Sequence, residues 1–323
     1  MHKSMCIRLK IVLLSGLCLL VMMSLIPGMS IYQNDVSNRL ISTESRKMLT
    51  KSAEAQLQAK AAEQGLELEQ TFHSSLKLMQ SLADQANDLR AMATHRGLSA
   101  SILREELGRQ LTTAFDHNPD VVGIWLVYEP NALDGRDSDF LGDTERASND
   151  KGRFGKVLNR GSGQTAELVF TENDLTKTEL SLSGAPYNSW YTCPKDTKKA
   201  CLMEPYSDNV AGKRLLMTTL SMPVISEGKV LGVVGIDLSL ETIQATVKQA
   251  QSEIFDGAGN ITITSTSGIL AGVSSSSEQV GERIEQIMGA DGKAILHRLD
   301  APSPTISPES AVIRAVHPVK PIQ

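Results

Sequence analysis

Apolar residues run uninterrupted by charge from Ile11 to Tyr32, IVLLSGLCLLVMMSLIPGMSIY. At about 1.5 Å per residue these 22 positions cross a hydrocarbon core of roughly 30 Å, so the run predicts a transmembrane helix. Lys3, Arg8 and Lys10 precede it, which keeps residues 1–10 in the cytoplasm and exports the chain beyond Tyr32. A cleaved signal peptide is the competing reading, but it ends in a small-residue site, and none stands before Gln33. From Gln33 to Thr94 the only Gly is Gly65 and there is no Pro. Leu68, Phe72, Leu76, Met79, Ala83, Ala86, Leu89 and Ala93 recur every three or four positions, the period of one helical face. The pattern predicts a stalk helix, bent at Gly65, whose apolar face needs a packed domain or a second copy.

A second helix is expected over Ser99–Phe115, after which the period changes to that of strands. Val121–Tyr128 and Thr165–Thr171 read as strands across a loop rich in Gly, Asp, Asn and Ser. Arg214–Ile225 and Lys229–Leu238 read as a hairpin turned at Glu227-Gly228. Ser239 then caps a helix that carries Leu240, Ile243, Val247 and Ala250 on one face. A less regular β-rich segment follows, with strands expected at Ile261–Thr264, Ile269–Val273, Ala294–Leu299 and Ala311–Val316. The final run leads into no cap or helix, so the chain is expected to be a fragment cut within its second module.

Charge narrows the partners. The net charge of −5 includes three basic residues before the apolar run; the remaining 29 basic residues face 37 acidic ones, or −8. Such a chain, with 13 Phe, Trp and Tyr among 323 residues, does not suit nucleic acid and favours cationic or neutral partners. Cys193 and Cys201 are the only cysteines beyond the apolar run; eight residues apart around Pro194 and a polar turn-like stretch, they suit a disulfide in an oxidising compartment.

Motifs for catalysis are missing: there is no nucleophile elbow, phosphate loop, zinc-protease helix or dinucleotide fingerprint, and the six His are scattered. Neither an enzyme activity nor a cofactor is expected. Asp134, Asp137, Asp139 and Asp143 form an acidic stretch interrupted by Arg136, which reads as a solvated loop rather than a calcium site; Gly161-Ser162-Gly163 reads as a turn. What remains is Trp190, Tyr191, Tyr206, Asp208 and Asp237, rings and carboxylates of the kind that receive a small organic ammonium.

The order of apolar segment, long helix, SWY, EPYSD and GKVLGVVGIDLSLETI resembles the double Cache sensor region of bacterial methyl-accepting chemotaxis receptors. DGRDSDF and GRF resemble its loop between early strands, although Lys156 and Val157 stand where an aromatic pair is expected. The resemblance implies an α/β fold, with the long helix beside two stacked PAS-like modules built on antiparallel sheets. The membrane-distal, ligand-binding module would span residues 115–252 and the proximal, incomplete one residues 253–323, after a helical region over 33–114. In amino-acid-binding members an Arg two residues before the Trp-Tyr pair holds the ligand carboxylate, while a Tyr-x-Asp and a hairpin-end Asp hold the ammonium. Trp190-Tyr191, Tyr206-x-Asp208 and Asp237 match that pattern; Asn188 replaces the Arg, and Ser183 replaces an upstream Tyr. The resemblance therefore implies the amine-sensing branch, with a polyamine or histamine-like ligand, in an inner-membrane homodimer that signals to cytoplasmic partners through a domain outside this chain. An amino-acid sensor, the sensor of a histidine kinase or diguanylate cyclase, an anchored periplasmic enzyme and a structural stalk are the alternatives.

Overall fold

A computed structural model describes residues 7–160, 165–181, 183–210, 213–257 and 260–299. The chain divides into two compact units, one covering the N-terminal helix through Ala59 and the other beginning at Lys60. Helix α1 runs from Ile7 to Arg96 as one element. In its first unit the apolar side chains are exposed, Ile11, Leu14 and Ile26 among them. This is one helix long and apolar enough to cross a membrane. Two polar groups within the apolar stretch are satisfied locally: the hydroxyls of Ser15 and Ser24 donate to the carbonyls of Val12 and Val21 at 3.1 and 3.0 Å. Hydrocarbon offers no other partner, so such back-bonding is what an apolar environment requires.

In the second unit the expected helical face of α1 is buried: Leu68, Met79, Ala83, Ala86, Leu89 and Ala93 are covered, while Phe72 and Leu76 are partly so. Helix α2 covers Ala100–Asp116, and Ser99 caps it by accepting from the Ile102 amide. It presents Leu103, Leu107, Leu111 and Phe115 to the same core. A seven-stranded antiparallel sheet lies against both helices. Its strands are β1 (Gly123–Tyr128), β2 (Gly155–Asn159), β3 (Ala166–Val169), β4 (Cys201–Leu202), β5 (Tyr206–Val210), β6 (Lys213–Ser226) and β7 (Lys229–Ser239). They lie in the order β3-β2-β1-β7-β6-β4, with β5 also paired to β6. The β6–β7 hairpin turns at Glu227-Gly228, both in the left-handed region (φ 51° and 76°), the two-residue turn that matches strand twist.

Period-2 alternation sorts the sheet into two faces. Ile124, Leu126, Tyr128, Leu158, Leu220, Val234 and Ile236 point to the helices α1 and α2. The opposite face carries Trp125, Val127, Val157 and Val233, and is covered by short helices α3 (Glu172–Thr176) and α4 (Ser189–Thr197) with their loops. From Ser239 the chain enters α5 (Leu240–Ser252), whose Ile243 and Val247 pack with Leu68 of α1 against a second hairpin, β8 (Thr262–Thr264) and β9 (Leu270–Val273).

Three expectations are corrected. Ala294–Leu299 is not a strand but the end of helix α6 (Ile284–Leu299), which is interrupted at Gly289 (φ 55°). A six-residue stretch with four apolar positions does not distinguish strand from helix by period; here Ile284, Ile295 and Leu296 pack against the second hairpin. The stretch between the cysteines is not a turn: α4 runs through Cys193 and Pro194 to Thr197 and ends at Lys198 in the left-handed region (φ 57°). The acidic loop is not simply solvated. Arg104 of α2, wholly buried, donates to both carboxylate oxygens of Asp134 (2.8 and 2.9 Å), to Asp137 (2.9 Å), to Ser148 (2.7 Å) and to the Gly152 carbonyl (2.7 Å). Asp139 and Asp143 pair instead with Arg136 and Arg146. The loop thus folds around a guanidinium thirty residues upstream, and Gly152 is obligatory there, since a Cβ would lie 1.7 Å from the Asp137 carbonyl. The expectations for Ala311–Val316 and for Gly161-Ser162-Gly163 fall outside the described residues.

Candidate ligand site

The site grows from one row of the sheet. Asp237 on β7 lies directly opposite Gly123 on β1 and Thr219 on β6, so the three project from the same face. Gly123 leaves the room that Asp237 occupies: a Cβ there would sit 2.2 Å from Asp237 Oδ2. One row along, Trp125 lies opposite Gly235, and its indole covers that glycine so closely that a Cβ would meet the ring at 2.0 Å. Folded over in this way, Trp125 Nε1 donates to Asp237 Oδ1 at 3.4 Å, and the Thr219 hydroxyl donates to the same oxygen at 2.6 Å. The Tyr206 hydroxyl is 2.8 Å from Thr219 Oγ1, which links β5 to the row.

Two residues further along β5, Asp208 accepts a hydrogen bond from the Tyr187 hydroxyl at 2.8 Å. The Tyr187 and Tyr206 rings meet edge to face, 6.5 Å between centroids. Carboxylates and phenols are close enough to perturb one another. Burial raises the Asp237 carboxyl to about 6, with a further upward push from Asp208, against the pull of the Thr219 and Trp125 hydrogen bonds. Burial likewise raises both phenols, helped by Asp208 at Tyr187 and by Asp237 at Tyr206. Asp237 is half-buried, and among the described residues no Lys, Arg or His forms an ion pair with it. Chemically, the arrangement offers acceptor oxygens and ring faces, the complement of a small cation bearing N–H groups.

Tyr206, Asp208 and Asp237 are therefore brought together. Trp190 stands behind them: it stacks on Phe170 (4.6 Å) and meets Trp125 edge to face (4.8 Å), walling the indole that reaches Asp237. The Tyr191 hydroxyl goes elsewhere, donating to Glu129 and accepting from Arg153 at 2.8 Å, in a network that includes Glu172 and Lys195. Asn188 is buried and its side-chain amide donates to the Leu175 carbonyl at 2.9 Å, while its backbone carbonyl accepts from the Thr192 amide at 3.0 Å. That side chain fastens the start of α4. Cys193 and Cys201 are joined as a disulfide, Cα atoms 6.3 Å apart, tying α4 to β4. A cavity of about 220 Å³ lies apart from the acidic row, lined by Asp84 and Asn87 of α1, Lys198, Met222 and Pro223, and reaches neither Asp208 nor Asp237.

Residues 107–245 match the family described as methyl-accepting chemotaxis protein-like, first PDC sensor domain. That stretch is similar to the first PDC sensor domain of chemoreceptors. Over 317 residues, 98% of its length, the chain is 37% identical to methyl-accepting chemotaxis protein TlpQ of Pseudomonas aeruginosa, of which it spans 44%. Two solved structures share the fold at a TM-score of 0.54: the periplasmic sensory domain of the Campylobacter jejuni chemoreceptor Tlp1 (14% identity, covering 77% of this chain and 83% of that one) and the extracellular domain of putative histidine kinase mmHK1S-Z2 (21% identity, 78% and 81%). The likeness to these two structures is one of fold, a long helix beside an antiparallel sheet.

The sequence reading missed Trp125, Tyr187 and Thr219. Trp125 carried a signal: it alternates with Ile124 and Leu126 in a strand whose partner has Gly at 232 and 235, where a large side chain has room to fold over. Tyr187 and Thr219 carried none, because each acquires its role from a strand or loop far away in sequence.

Proposed function

We propose that the chain is the sensing part of a transmembrane chemoreceptor, and that its PDC domain binds a small organic amine between Asp208 and Asp237. The observation that carries this reading is the convergence of the two carboxylates on Tyr187, Tyr206 and Trp125. An ammonium entering that space exchanges water for carboxylate oxygens and ring faces, and hydrogen bonds to charged groups contribute about 1.5 to 3 kcal/mol each. The departure of Asn188 from the Arg of amino-acid binders supports an amine, since its amide is engaged with Leu175 and a buried ligand carboxylate without a cation is costly. The apolar helix from Ile11 would anchor the protein in the inner membrane, with the PDC domain in the periplasm, where the Cys193–Cys201 bond is at home. We place the receptor as a homodimer along α1, and its output in a cytoplasmic domain outside this chain.

The test is titration calorimetry of the chain in nanodiscs against a panel of monoamines, diamines, histamine and L-amino acids. Amine binding that is lost in Asp208→Asn and in Asp237→Asn is the expected result. Binding of an L-amino acid with no response to any amine overturns it.

A further inference from the structure

The loop between α3 and α4 closes on itself as a short hairpin: the Asn188 amide donates to the Lys177 carbonyl at 3.0 Å, Tyr187 to Glu179 at 2.8 Å, and Ser181 to Ala185 at 2.8 Å. Asn188 pins the base of that hairpin through the hydrogen bond from its side-chain amide to the Leu175 carbonyl. Because Lys177 and Tyr187 stand on the two arms at the base, the Lys177 ammonium comes to rest over the Tyr187 ring, Nζ 4.3 Å from the centroid. The same Tyr187 donates through its hydroxyl to Asp208. A positive charge thus lies on the ring whose hydroxyl is bonded to Asp208. Its carboxylate neighbour on the outer side, Glu179 at 3.7 Å, is largely exposed and neutralises it weakly.

We propose that Lys177 is a specificity-determining residue: its ammonium, held on the Tyr187 ring, selects amines that carry one positive charge and a non-cationic far end over amines charged at both ends. This deepens the amine reading and rests on it. Asp208 and Asp237 attract any ammonium, so they do not separate a monoamine from a diamine. Lys177 does, because a second ammonium emerging past Tyr187 meets a like charge instead of a free ring face. At about 8 Å, in a medium between protein and water, such repulsion changes a binding constant roughly fivefold. A neutral or hydrogen-bond-accepting far end, such as an unprotonated imidazole or a hydroxyl, meets no such penalty and has an N–H donor beside it.

The experiment compares n-butylamine with 1,4-diaminobutane, equal in carbon number and different in charge, by calorimetry on the chain in nanodiscs as wild type, Lys177→Met and Lys177→Arg. Lys177→Met is expected to move the diamine-to-monoamine affinity ratio toward the diamine roughly fivefold, and Lys177→Arg, which keeps the charge, is expected to hold the wild-type ratio. A ratio unchanged in Lys177→Met, or shifted equally in Lys177→Arg, overturns the role of Lys177 while leaving the amine site standing. If wild type binds neither these nor any other amine, the amine reading itself fails and the inference falls with it.

Discussion

Replacing Asp237 by Asn should make the unliganded protein more stable while removing its ability to bind an amine. In the folded protein burial raises this carboxyl from 3.8 to about 6. At pH 7.5 it is ionised in both folded and unfolded chains, and the shift of about two units corresponds to roughly 3 kcal/mol stored against folding. Partial contact with solvent lowers that to about 1–2 kcal/mol. The sign follows from the direction: a raised carboxyl binds more protons when folded, so wild-type stability increases as pH falls from about 7 toward 4, and the penalty is present in full above 7. Asn keeps the acceptor oxygen that Thr219 and Trp125 use, so the hydrogen bonds of the row survive. Urea unfolding of wild type and Asp237→Asn at pH 7.5 and at pH 4 measures the difference. The variant is expected to be more stable by about 1–2 kcal/mol at pH 7.5 and equal at pH 4, with at least a tenfold loss of amine affinity. Wild-type affinity should also weaken below pH 6 as the carboxyl protonates. A variant destabilised equally at both values, or one that binds amines unchanged, would refute the reasoning that Asp237 is held charged for a ligand.

Gly235→Ala should expel the Trp125 indole from its place over the backbone, costing about 1–3 kcal/mol, with a change in tryptophan fluorescence and weakened amine binding as the readouts. Arg104→Met leaves Asp134 and Asp137 buried without their cation, and thermal melts should show a loss of about 3–5 kcal/mol; a melt equal to wild type would mean that the acidic loop does not depend on that guanidinium. Cys193→Ser with Cys201→Ser opens a short loop and should cost about 2–3 kcal/mol of unfolding free energy at equilibrium, measured against wild type with and without reductant.

The helical face of α1, the Ser239 cap, the β6–β7 hairpin and the burial face of α5 were legible because each follows from a local period or a cap, read within about a dozen residues. Asp208 and Asp237 were legible only through their resemblance to a known pocket pattern; composition and spacing offered two ordinary carboxylates. The sequence alone could not show that Arg104 gathers Asp134 and Asp137, since the ion pairs span thirty and more positions and their strength comes from burial. Nor could it assign Tyr191 to Glu129 and Arg153 instead of to the acidic row, or Asn188 to the Leu175 carbonyl. Adjacent residues on one short helix point in different directions, and what lies in each direction depends on how the helix is laid across the sheet. Ala294–Leu299 shows the same limit at the level of an element, where so short a stretch fits either period until packing against a neighbouring hairpin decides. Local order is set by interactions that decay within a turn or two of chain. The site depends on which face of β7 meets which strand, and one row of the sheet brings together Gly123, Thr219 and Asp237, residues about twenty to more than a hundred positions apart.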